Sequence, residues 1–159
     1  MRTTDKHIFF WEGPFSQWYK SEFEIDGLTF GTAEQWMMYC KAKLFGDMDI
    51  AEQIRSTNNP KKQKSLGRQV KGYNDEVWME TAYDVVVIGN HAKFSQDATL
   101  YTLLESTKGK LLVEASPLDT RWGIGMAEND EGVDDPAKWK GANLLGKAIT
   151  EVRIQLFGS

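Results

Sequence analysis

Two ionisable residues seven positions apart, Glu34 and Lys41, stand out because they fall inside a stretch, TAEQWMMYCKAKLFGD from Thr32 to Asp47, that reads as a helix with a built-in start signal. Thr32 followed by Gln35 fits a capping box, in which the hydroxyl and the amide satisfy backbone donors that a first turn leaves orphaned. The spacing predicts a helix beginning near Ala33. At about 100° per residue, the path from Glu34 to Lys41 returns to nearly the same direction, with Met38 between them, whereas Lys43 points almost oppositely. An apolar stripe of Trp36, Met37 and Cys40 is expected beside the pair. Periodicity leaves two readings open. The charges are either solvated neighbours on a helix rim, or a carboxylate and an amine sharing a partly dry site where a proton can pass between them.

Other residues with chemical potential are dispersed: Arg68 after Gly67, Trp78, Asp119 and Trp122 in one loop, and Asn143 near the start of the last helix. Each has an ordinary structural explanation. Arg68 can pair with a surface acid, Trp78 can be core, Asp119 can bond its own turn, and Asn143 can cap its helix. Lys61, Lys62, Lys64, Arg68 and Lys71 concentrate five cations within eleven positions, enough to hold an anionic group or simply to solvate a helix face. No phosphate-loop glycine motif, nucleophile elbow or Cys/His pair is present. His7 and His91 stand far apart without metal-ligand spacing, so no metal site is expected. No cofactor motif is found either.

The elements that must position these residues follow from turn and cap signals. Phe23, Ile25 and Phe30 flank Asp26-Gly27, a two-residue hairpin signal. Gly46 ends the Thr32 helix, Asp47 or Asp49 caps the next, and Pro60 opens another that runs to about Val70. A longer helix from Asp75 is expected to falter near Gly89-Asn90, and Ser95 is a candidate cap for the helix carrying Leu100, Leu103 and Leu104. LLVEA at 111–115 is a short strand, and the last helix runs from about Ala142 to Leu156. The expected class is mainly α, one multihelical domain over residues 1–159 with a small N-terminal β-hairpin and minor strands. With 159 residues and 41% hydrophobic content, a real core is available.

A formal charge of −4 argues against a broad footprint for duplex nucleic acid. The single cysteine, Cys40, excludes an intrachain disulfide and reads as a small core hydrophobe. No signal peptide, membrane-length apolar run or lipidation motif is visible, so a soluble cytoplasmic protein is expected.

Taken together, FSQWY at 15–19, the run from Asp26 to Ala42, LGR at 66–68, Trp78, AKF at 92–94, LVEASPLDTRWGIG from Leu112 and WKGANLLGKAITEVR from Trp139 resemble the NADAR, or YbiA-like, family nearly from end to end. The resemblance implies a YbiA-like fold and hydrolysis of an N-glycosidic bond to ribose. It points to two substrate groups: ribosylamino-pyrimidine phosphates of riboflavin biosynthesis, and ADP-ribosylated guanine, free or on nucleic acid. It makes Lys41 the nucleophile, passing through a Schiff base, with Glu34 as the helix carboxylate, and it links Trp78, Asp119 and Trp122 to the pocket. Asp119 joins Glu34 as a candidate for managing protons and an oxocarbenium-like sugar. The candidate substrate contacts are Trp18, Arg68, Lys71, Trp78, Trp122 and Asn143, with Arg68 and Lys71 suited to phosphate and the tryptophans to stacking. Some relatives resemble WGDG where this chain has WGIG, so Ile124 replaces an acid. The competing reading is a non-catalytic module for NAD- or ADP-ribose-derived ligands.

Overall fold

Six helices and five short strands make up the computed structural model, which describes residues 1–159, the helices holding nearly half of the chain. In order these are β1 Arg2–Thr3, β2 His7–Phe10, β3 Phe23–Ile25, β4 Leu28–Phe30, α1 Ala33–Leu44, α2 Met48–Arg55, α3 Pro60–Gly67, α4 Asp75–Gln96, α5 Ala98–Glu105, β5 Leu111–Glu114 and α6 Leu144–Phe157. The mainly helical class expected from the sequence is the one observed. Contacts cluster into two compact units: Gln17–Asp97, and Met1–Ser16 together with Ala98–Ser159.

The Gln17–Asp97 unit starts from the hairpin. Ile25 pairs with Leu28 across Asp26 (φ 52°) and Gly27 (φ 80°), and this double left-handed turn is the one whose twist matches two antiparallel strands. Thr32 then caps α1, its hydroxyl accepting from the Gln35 N–H at 3.0 Å. The reciprocal half of the box lands one residue early, with Gln35 Oε1 accepting from the Gly31 N–H at 2.7 Å. Gln35 Nε2 also donates to the carbonyls of Ile54 and Thr57, tying the start of α1 to the end of α2.

Helix α1 packs against α2, α3 and α4. That enclosure alters the expected stripe: Ala33, Met37, Met38, Tyr39 and Ala42 are buried, while Trp36 and Cys40 are only half-buried. Helix α3 stops at Gly67, three residues short of Val70. The chain turns there, and the Lys71 N–H bonds to Asp47 Oδ2 at 2.9 Å instead of continuing the helix. Gly67 is required at that end, because a Cβ on it would lie 2.1 Å from Met38 Sδ.

Helix α4 does not falter at Gly89-Asn90. The missing Cβ of Gly89 leaves room for the Trp36 ring, whose Nε1 donates to the Val85 carbonyl at 2.8 Å, and Asn90 Nδ2 donates to Val86 O and Gln17 Oε1. A glycine that looks like a break is a packing site. The Ser95 cap is corrected too: Ser95 lies in the last turn of α4, and extended Asp97 separates α4 from α5.

In the other unit, β2 pairs antiparallel with β1 and parallel with β5, giving sheet order β1-β2-β5. All four residues of β2 are buried, so its sequence shows no inside-outside alternation. Helix α6 packs on β5 at Gly146, whose Cβ would sit 2.1 Å from the Leu112 carbonyl. Phe9, Val113, Ala115, Ile124, Met126 and Val133 form the adjoining core.

Candidate active site

Within Gln17–Asp97, α1 places Glu34 and Lys41 where their spacing requires, and the surrounding helices decide what that face is worth. Glu34 is 7% exposed, and its N–H donates to the Gln17 carbonyl at 3.0 Å. Lys41 is half-buried, which removes part of its hydration. Burial is the main influence on that amine and pushes its pKa below the ordinary lysine value; Arg68 adds to the depression, while the carboxylates of Glu34 and Asp75 oppose it. Glu34 is therefore not a solvated rim residue, and Lys41 is only partly one. Lys43, on the opposite side, is exposed, as a bystander should be. Burial drives the Cys40 thiol up to about 12, so it is no nucleophile at neutral pH.

Tyr73 completes the surroundings of Lys41. Its ring centroid lies 4.3 Å from Lys41 Nζ, and its hydroxyl donates to Asp75 Oδ1 at 2.5 Å. Arg68, the C-cap residue of α3, is exposed, and its charge acts on Lys41. Lys71 lines a shallow crease of about 330 Å³ with Phe45, Asp47 and Asp49. Trp18 is 41% exposed and follows Gln17, the residue bonded to the Glu34 backbone; Lys64 Nζ is 5.9 Å from its ring. Trp78 is 3% exposed, so it has no open face for a ring to stack on and serves as core.

Asp119, Trp122 and Asn143 belong to the other unit, and there they build backbone. Asp119 Oδ1 accepts from the N–H groups of Arg121 (2.9 Å) and Trp122 (2.8 Å), fixing the turn that presents the half-buried Trp122. Asn143 is fully buried with φ 54°. It occupies the N-cap position without capping; its amide instead donates to Leu112 O at 3.0 Å and accepts from the Glu114 N–H at 2.9 Å. Both ends of that side chain are committed to β5, which accounts for its burial. Ile124 is fully buried in the apolar core, so the departure from WGDG falls on a packing position.

The chain matches the NADAR domain over residues 9–157. The chain belongs to the NADAR family. It is 40% identical to N-glycosidase R617 of Acanthamoeba polyphaga mimivirus, over 94% of this chain and 96% of that protein. The NMR structure of Escherichia coli YbiA superposes with a TM-score of 0.78 at 29% identity, covering 98% of this chain and 87% of that one. A maize protein named riboflavin biosynthesis protein PYRR is 34% identical over 70% of this chain, a region making up 17% of the maize protein. This NADAR chain is a glycosidase of N-glycosyl bonds. No helix is long and apolar enough to cross a membrane, and no group of three or more His, Cys, Asp or Glu is placed to hold a metal.

Three residues of this NADAR chain escaped the sequence reading. Tyr73 and Asp75 straddle the loop into α4, and nothing in their spacing connects them to α1. Lys93 lay within AKF, yet a lysine in a helix is ordinarily taken as surface. It is 0% exposed, with burial lowering its pKa to about 7, and its amine sits 4.9 Å from the Phe94 ring and 5.6 Å from that of Tyr19. Its pattern signal was the run of buried neighbours, Ala92 and Phe94, on either side.

Proposed function

We propose that the chain hydrolyses the C–N bond between ribose and a nucleobase-like group, with Lys41 as nucleophile and Glu34 as its proton partner. The observation that carries this reading is half-buried Lys41, its amine depressed in pKa and acted on by the carboxylate of buried Glu34 on the same helix face. Lys93 is depressed further, but complete burial denies it a substrate.

In the first step the Glu34 carboxylate takes a proton from the Lys41 ammonium, freeing a lone pair. The amine forms a bond to the ribose C1' as the C1'–N bond breaks. The leaving nitrogen keeps that electron pair and receives the proton from Glu34. The adduct nitrogen then gives up the extra proton to Glu34, and the C1'–O4' bond breaks as the nitrogen lone pair forms the Schiff base and the ring oxygen takes that proton. Water adds to the Schiff base, releasing the sugar and regenerating the amine. Positive character builds at C1' during departure, and a carboxylate nearby lowers its energy. Arg68 offers a planar fork of donors for a substrate phosphate, and Trp18 an exposed ring for the departing base. Asp119 enters this reading as the residue that shapes the Trp122 turn.

Both candidate substrate groups share a ribose-nitrogen bond and a phosphate. The name of the maize relative favours the riboflavin-pathway compounds, while Ile124, where some relatives resemble WGDG, is buried in the apolar core. The deciding experiment incubates the enzyme side by side with a ribosylamino-pyrimidine phosphate and with ADP-ribosylated guanine in nucleic acid, following free-base release and trapping the adduct with borohydride. We expect a covalent adduct on the peptide containing Lys41 with the favoured substrate. Turnover without any trapped lysine, undiminished in Lys41→Ala, would sink the mechanism.

A further inference from the structure

The one aromatic face against the proposed nucleophile comes from a residue outside α1. Tyr73 lies on the connection from α3 to α4, after Gly72 (φ 77°), and its ring is held on two further sides: edge-to-face against Phe45 at 5.5 Å, and through its hydroxyl to Asp75 Oδ1 at 2.5 Å. The segment itself is anchored at both ends. The Lys71 N–H bonds to Asp47 Oδ2, and Asn74 caps α4 by accepting from the Val77 N–H. A tyrosine so fixed, yet 40% exposed, makes little sense as core; what it offers is its face, 4.3 Å from Lys41 Nζ.

We propose that Tyr73 is a positioning residue that holds the charged Lys41 amine at rest and releases it on loss of its proton. This rests on the reading of Lys41 as nucleophile. The physical basis is that the electron-rich face of a ring attracts an ammonium and has no comparable attraction for a neutral amine. While protonated, Lys41 is held against the ring and cannot react. Once Glu34 has taken the proton, the hold vanishes and the lone pair is free to turn toward the ribose carbon. Deprotonation and release become one event. Asp75 keeps the ring in place and adds its own charge, while Glu34 from α1 and Arg68 from the end of α3 are the other charged groups acting on the amine.

The test is the pH dependence of Lys41 acylation by an amine-selective reagent, read peptide by peptide by mass spectrometry in wild type, Tyr73→Leu and Tyr73→Phe. Each profile is normalised to its own high-pH plateau so that a change in access does not count. In Tyr73→Leu the charged form loses its ring, and the normalised labelling below the midpoint should rise about threefold. Tyr73→Phe keeps the ring and should move less than half as far. Coincident profiles for Leu and wild type overturn the proposal, and so does a Phe profile that moves as far as Leu, because the hydroxyl and not the ring would then be responsible. The low-pH limb of turnover should shift with the labelling profile. A labelling shift without any shift in turnover leaves the hold on Lys41 standing and removes Lys41 as nucleophile instead.

Discussion

The candidate polar side chains in the two units of this chain are set to different work. In Gln17–Asp97, α1 keeps Lys41 half in solvent and half out of it, with Glu34, Arg68 and Asp75 all acting on one amine. In the unit of Met1–Ser16 and Ala98–Ser159, polar groups are consumed by backbone: Asp119 holds a turn, Asn143 spans two groups of β5, and the guanidinium of buried Arg153 donates to the carbonyls of Thr107, Lys110 and Ser159. A polar residue whose bonds are all answered by backbone stabilises a shape. One left among competing charges at partial exposure keeps its chemistry available. Sequence spacing does not separate these two cases, which is why Asp119 stood beside Glu34 as a catalytic candidate and Asn143 among the substrate contacts.

The sharpest way to break that contrast is Glu34→Gln. The isosteric amide keeps the shape of α1 but cannot accept the Lys41 proton, so base release should fall on the order of 100- to 1,000-fold. A fall of less than about fivefold in steady-state turnover would put Glu34 with the structural polar groups. A smaller effect, a few kcal/mol in stability, is expected from Lys93. Its folded pKa, about 7, lies below its unfolded value, so between about pH 7 and 10 the unfolded chain binds a proton that the folded chain does not. Stability should therefore rise with pH across that window, and Lys93→Met should remove this contribution. Urea denaturation at several pH values checks it, and parallel pH profiles for mutant and wild type would show that burial leaves the amine charged. The smallest effect belongs to Asn143→Ala, which strips partners from the Leu112 carbonyl and the Glu114 N–H and should cost roughly 2 kcal/mol of folding stability. If instead the melting curve is unchanged while KM rises, Asn143 is a ligand contact after all.

Much of the local structure was legible because its causes are local. Asp26-Gly27 forms its turn from the φ values those residues tolerate, Thr32 and Gln35 cap α1 within four positions, and Pro60 starts a helix by the same short-range chemistry. The misreadings share an opposite origin. Gly89 is indistinguishable from a helix breaker until Trp36, more than fifty residues earlier in the chain, fills the space it leaves. Gly67 depends in the same way on Met38, and the pairing of β2 with β5 joins segments about a hundred residues apart, with no alternation to announce it.

The Glu34 to Lys41 spacing belongs to the first group: the 3.6-residue helical repeat alone places both on one face. The sequence alone also determined membership of the NADAR family, since its motifs run in order along the chain. What only tertiary structure decided is the state of the groups on that face. Desolvation of Lys41 depends on how much of α1 is covered by α2, α3 and α4, and its balance of charges depends on Arg68 and Asp75 arriving from other helices. Electrostatic influence acts through space and dielectric, whereas sequence spacing records distance along the chain. Tyr73 beside Lys41, and Trp78 closed into core rather than open to a ring, follow from that same difference.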